Sequence, residues 1–148
     1  MISFPNESYM RALAETMYAV AYLEWALLGD LSRLTNPPDE LSVEGLSRAT
    51  MGQVSAAVRR AARDSVDPAE TAWLAAAADA LEAVVDKRNQ VVHAHPATVD
   101  GEQMLYRWAT ATPTKPHEAV AITKPDLVAL RDLAFEHLGR MNAVRLRA

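Results

Sequence analysis

Apolar residues recur every three or four positions along most of this chain, the spacing of helices that bury one side. Over residues 7–34, Met10, Leu13, Ala14, Met17, Val20, Ala21, Leu27, Leu28 and Leu31 form one such stripe. Asn36-Pro37-Pro38 closes it, because proline lacks an amide donor and restrains the residue before it. Ser42, with Gly45 three residues on, predicts a second helix reaching Arg63. The third start is better marked. Asp67 suits an N-cap, Pro68 the first helical position, and Glu70 the reciprocal half of a capping box. That helix is expected to run through Leu74, Ala77, Leu81, Val84, Val85 and Val92 until Pro96 stops it.

Beyond Pro96 the texture changes. Residues 103–108 and 118–122 are short segments joined through Thr112-Pro113-Thr114-Lys115-Pro116, and they predict a small β-hairpin or extended flap. Thr123, with Asp126 three residues later, opens a last helix whose stripe is Leu127, Leu130, Leu133, Ala134, Leu138, Met141 and Val144. Long helices with short connections predict an all-α fold: an up-down bundle of four to five helices, with the flap before the last one, in a single domain over residues 1–148.

Composition narrows the chemistry. At 148 residues, half of them hydrophobic, the chain is large enough to bury a core without covalent staples. It has no cysteine, which excludes disulfides, thiolate metal sites and thiol nucleophiles, and which fits a reducing compartment. Met1-Ile2-Ser3-Phe4-Pro5-Asn6-Glu7 has no basic region followed by an apolar run, and no apolar stretch reaches the ~20 residues of a bilayer span. A cytoplasmic protein without a membrane partner is expected. The net charge of −4 disfavours a nonspecific nucleic-acid coat. Arg59, Arg60 and Arg63, and likewise Arg140, Arg145 and Arg147, are expected to lie on solvated faces.

Two charges interrupt apolar stripes. Glu24 falls between Val20/Ala21 and Leu27/Leu28, and Arg88 between Leu81/Val84/Val85 and Val91/Val92. Buried charges need partners, so an ion pair between them is expected, with Glu24 also a candidate for orienting Arg88. His93 follows Asn89 by four residues and shares its helix face, about 40° apart. Arg88, Asn89 and His93 thus gather a guanidinium, a carboxamide and an imidazole near a helix end. That set suits phosphodiester chemistry. Imidazole moves protons near neutral pH, and guanidinium grips phosphate and stabilises developing charge. His95 is a candidate assistant or a plain loop residue. The four histidines, His93, His95, His117 and His137, show no ligand spacing with carboxylates, so neither a metal nor another cofactor is expected. Tyr18, Tyr22 and Trp25 at helical spacing predict packing or a dimer face.

Arg88-Asn89-Gln90-Val91-Val92-His93 resembles the R-x4-6-H signature of the HEPN superfamily, whose members often carry Asn, Asp or His directly after the arginine. Arg131 to His137 also fits the pattern, but Asp132 and His137 lie about 140° apart on a helix. The resemblance implies a small helical bundle, commonly a homodimer, in which paired motifs form one cleft. It further implies metal-independent RNA cleavage through the ribose 2′-hydroxyl, with Arg88 and His93 as catalytic residues and Asn89 fixing the imidazole or a phosphate oxygen. Bacterial relatives of this kind serve as toxins, with a cognate antitoxin protein as partner, or in phage defence. Other members are noncatalytic nucleotide-binding, protein-binding or dimerisation modules.

Overall fold

The computed structural model describes residues 3–109, 113–114 and 118–147. The fold is mostly helical, with five α-helices and a three-stranded antiparallel sheet. Helix α1 spans Glu7–Leu31, α2 Val43–Arg48, α3 Met51–Asp64, α4 Pro68–Val92 and α5 Lys124–Ala143, and strands β1 His95–Val99, β2 Glu102–Ala109 and β3 Glu118–Ile122 lie between α4 and α5. Helix α4 packs on both α3 and α5, and α1 packs mainly on α5. Leu23, Leu27, Val58, Trp73, Leu81, Val84, Leu127 and Met141 are fully enclosed where these helices meet.

Local capping explains most helix starts. Asn6 accepts the Tyr9 amide at 2.9 Å, Asp67 accepts the Ala69 and Glu70 amides, and Thr123 with Asp126 forms a full capping box. Glu70 does not complete a box at Asp67. Its carboxylate instead accepts the Thr35 amide at 2.6 Å, tying the connection after α1 to the start of α4.

Four expectations are corrected. The single second helix is two, because Thr50 and Gln53 form a capping box that restarts the chain at Met51. Ahead of it, Asp39–Leu41 makes a short 3-10 turn, and Gly45 lets α2 approach it. A Cβ at that glycine would meet the Asp39 carbonyl oxygen at 2.7 Å. The hairpin or flap is a three-stranded sheet in the order β1-β2-β3. Helix α4 stops at Val92, short of Pro96, which lies in edge strand β1, where a missing amide is tolerated. The β1–β2 turn is Asp100-Gly101, both at positive φ (52° and 80°), as a two-residue hairpin requires. The connection at 112–116, apart from Pro113 and Thr114, and His117 fall outside the described residues.

The fourth correction concerns α1. Its buried residues are Tyr9, Ala12, Thr16, Ala19, Val20, Leu23, Leu27, Asp30 and Leu31, whereas Met10, Ala14 and Ala21 of the expected stripe are exposed. The helix is apolar on nearly every side, so periodicity alone did not define which side faces inward. Two polar groups lock the chosen rotation. The Tyr9 hydroxyl donates to the Ile122 carbonyl at 2.7 Å and accepts the Leu105 amide at 3.0 Å. Leu105 and Ile122 are cross-strand partners, so this side chain bridges the β2–β3 ladder. Burial pushes the Tyr9 phenol above its ordinary range. Thr16 shares its hydroxyl proton between the carbonyls of Ala12 and Leu127, each 2.7 Å away. Smaller departures occur at Val92 and Val144, both on expected stripes yet substantially exposed.

Candidate functional site

The last turns of α4 carry the motif. Arg88 continues the face formed by Leu81, Val84 and Val85, all buried, and so points toward α1 rather than toward water. There its Nε lies 3.5 Å from Glu24 Oε1, with the arginine side chain 28% and the glutamate 16% exposed. The pair is loose. Glu24 Oε1 is buried without a hydrogen-bond partner among the described residues. Burial therefore raises the Glu24 carboxyl above the usual carboxylate range, and the positive charge of Arg88 only partly opposes this.

Arg88 makes a better bond to its neighbour. Nη1 donates to Asn89 Oδ1 at 2.9 Å. A guanidinium has only donors, so the amide must present its oxygen here and keep its NH2 group free to donate elsewhere. With one N–H directed to Asn89 and one edge facing Glu24, Arg88 retains donors for a ligand.

His93 ends the helix. Its amide still donates to the Asn89 carbonyl at 3.0 Å, but its backbone (φ −95°, ψ 7°) has left the α-helical region. The side chain is exposed. Among the described residues no hydrogen bond joins the His93 imidazole to Arg88 or Asn89. The fold therefore brings Glu24, Arg88 and Asn89 into contact and holds His93 one turn further on, at the accessible tip. His95 is a strand residue, not a loop residue. It opens β1 opposite Tyr106 with its side chain exposed.

The competing motif comes apart. Arg131 is engaged by Glu15 and Asp132 at 2.7 and 3.0 Å, whereas His137 is buried with Nδ1 unpartnered among the described residues. The two arginine clusters are not simply solvated faces, because several members are tied to carboxylates. Arg59 holds Asp79 and Glu82 across the α3–α4 contact, Arg60 reaches Glu40, Arg140 pairs with Glu136, and Arg145 with Asp30. Tyr18, Tyr22 and Trp25 do not pack in the core. They stand on the outer side of α1, 68%, 49% and 76% exposed, the two tyrosine rings 6.3 Å apart.

Sequence reasoning missed a neighbouring feature. A cavity of about 250 Å³ lies between the end of α4, the β2–β3 strands and the first turns of α5, with Lys87, Gln90, Arg107 and Asp126 among its walls. Arg107 carried a signal. It shares a strand face with Leu105, where alternation calls for an apolar residue. Among the described residues no three His, Cys, Asp or Glu side chains converge as a metal site would require, and no helix is long and apolar enough to cross a membrane. Comparison with family models, curated proteins and solved structures finds no match for this chain.

Proposed function

We propose that this protein is a metal-independent endoribonuclease of the HEPN type, acting as a homodimer with Arg88, Asn89 and His93 at its centre. The observation that carries the reading is the Arg88–Asn89 hydrogen bond at a helix end, with an exposed imidazole one turn beyond it. The bond occupies the Asn89 oxygen and one guanidinium N–H, so the amide NH2 and the other guanidinium donors can serve a bridging phosphate. His93 removes the proton of a ribose 2′-hydroxyl, whose oxygen then attacks the adjacent phosphorus. The bond from phosphorus to the 5′-oxygen breaks, giving a 2′,3′-cyclic phosphate and a 5′-hydroxyl. Arg88 offsets charge on the phosphoryl oxygens. Glu24 positions Arg88 without holding it by a short hydrogen bond. His95 is a supporting residue near the same tip. The remaining proton, delivered to the departing 5′-oxygen, comes from the imidazole of a second protomer. The reading entails an up-down arrangement of the long helices, which the packing of α4 on α3 and α5 and of α1 on α5 supports. A cytoplasmic toxin or phage-defence role, with a cognate antitoxin protein, belongs to the same proposal.

What supports a dimer is the uncovered side of α1. A helix apolar on nearly every side is normally enclosed, yet Met10, Tyr18, Tyr22 and Trp25 are left to solvent. The same surface favours the alternative, a noncatalytic protein-binding, nucleotide-binding or dimerisation module.

Single-stranded RNA incubated with the protein in EDTA separates the two. Cleavage leaving cyclic-phosphate ends, and lost in His93→Ala and Arg88→Ala, is expected. Cutting by both folded variants at the wild-type rate would remove the nuclease reading. A partner or nucleotide that raises thermal stability while RNA stays intact would establish the module.

A further inference from the structure

The cavity beside the motif holds two cations that the nuclease chemistry does not use. Strand β2 places Leu105 and Arg107 on one face, opposite Ile122 and Val120 of β3. Ile122 is buried in the core and Leu105 packs against it, so this is the face turned to the helices. Arg107 is half-buried there, and among the described residues its guanidinium makes no ion pair or hydrogen bond. A guanidinium turned inward without a counter-charge is costly unless something fills the space before it. Lys87 lines the same cavity from α4, also without an ion pair among the described residues. Gln90, one turn further along α4, adds an amide that donates without charge.

One carboxylate lines the space. Asp126 is engaged at the start of α5, where its Oδ2 accepts both the amide and the hydroxyl of Thr123 at 2.8 Å. The walls therefore carry two positive charges against one negative charge already used in capping. Val91, Val120 and Leu130 complete them, which strengthens electrostatic attraction inside.

We propose that this cavity binds a phosphate group, with Arg107 as the bidentate donor, Lys87 as the second cation and Gln90 as a neutral donor. Two cations match the charge of a phosphate better than that of one carboxylate, and guanidinium geometry fits two of its oxygens. About 250 Å³ is small beside drug-sized pockets, so a compact group is held rather than an extended peptide. Gln90 precedes His93 by three residues, placing the two about 60° apart and about 4.5 Å along the helix. Phosphates of one strand passing over this helix end would reach both places. The RNA source of the phosphate, though not the site itself, rests on the nuclease reading.

Calorimetric titration of the full chain tests the site with inorganic phosphate, AMP and an uncleavable 2′-deoxy oligonucleotide. Binding of phosphate and AMP is expected, weakened about tenfold or more by Arg107→Gln and less by Lys87→Gln, which lies on the exposed surface and leaves the sheet untouched. Competition between phosphate and the oligonucleotide would place a strand's own phosphate in the cavity. Binding of the small phosphates alone, still dependent on Arg107, would keep the site and overturn the RNA source. Absence of all binding, or binding unchanged in folded Arg107→Gln and Lys87→Gln, would overturn the proposal. Arg107-dependent binding by a protein that cuts no RNA would leave this site standing and remove the nuclease. Cutting without phosphate binding would do the reverse.

Discussion

Two carboxylates on α1, Glu24 and Asp30, face arginines from elsewhere in the chain, and the two pairs are built differently. Asp30 is 4% exposed and takes three bonds of 3.0–3.2 Å from Arg145, whose guanidinium is thereby held above its already high range, and Arg33 Nε adds a contact at 3.4 Å. Arg33 also donates to the Leu146 carbonyl at 2.8 Å, so the segment after α5 is fastened to the end of α1. Glu24 is also largely buried, yet it receives Arg88 only at 3.5 Å and keeps an oxygen without a hydrogen-bond partner. One carboxylate is satisfied by the fold, through three bonds from Arg145 and a contact from Arg33. The other steers its arginine across a longer gap and keeps an oxygen without a hydrogen bond among the described residues. A buried ion pair is weak evidence of stability by itself, and the contrast shows why geometry decides what such a pair does.

The largest effect that would break this contrast is catalytic. Arg88→Ala and His93→Ala are each expected to lower RNA cleavage by roughly 10²–10⁴-fold, the range for lost acid–base or charge stabilisation, measured by gel against a labelled strand. Arg145→Ala should leave the rate near that of the wild type, and equal losses from Arg88 and Arg145 would erase the distinction.

Next in size is stability at the saturated pair. Asp30→Asn removes a buried charge that accepts several bonds and should cost about 1–3 kcal/mol in urea unfolding. Replacing the loose pair together, Glu24→Gln with Arg88→Met, should change stability by less than about 1 kcal/mol. A larger loss from the double variant than from Asp30→Asn would invert the comparison.

The pH dependence sharpens it further. Folding raises the Glu24 carboxyl above its ordinary value, mainly through burial, so the folded chain binds that proton more tightly than the unfolded one. Its contribution is full below the ordinary carboxylate range and is lost as pH rises through the raised value. Glu24→Gln should therefore flatten the stability profile on the alkaline side of that range, as thermal unfolding at a series of pH values would record. A slope unchanged by the substitution would mean Glu24 is charged at no cost. The smallest effect is expected from an exposed pair. Glu44→Gln, which breaks the Arg48 contact at 3.1 Å, should stay within about 0.5 kcal/mol of wild type in the same measurement.

Much of this was legible in the chain because it is written locally. Asp67-Pro68 and Thr123 with Asp126 mark helix starts through bonds spanning three residues, and both starts stand where the sequence put them. Arg88 and Asn89 are adjacent, but the four-residue spacing directs Asn89 to the His93 imidazole or a phosphate, and its bond to Arg88 emerges only in the structure. The Glu24–Arg88 approach was legible for a different reason, since each charge interrupts an apolar stripe and needs a counter-charge. Two local signals were present and hidden by a longer pattern. Thr50 with Gln53 restarts a helix inside one apolar period, and Asp100-Gly101 turns a hairpin that a helix drawn as far as Pro96 left without its first strand.

What the tertiary structure alone decided is which surfaces meet. Helix α1 is apolar on almost every side, so its sequence specifies a helix but not a rotation. That choice falls to Tyr9 and Thr16, whose partners Leu105, Ile122 and Leu127 lie 96 to 113 residues away. Arg107 and Lys87 come to one cavity only when β2 is laid against the end of α4. Hydrogen bonds within a turn depend on neighbours in sequence, and those can be read. Contacts across the core depend on every other element finding its place first.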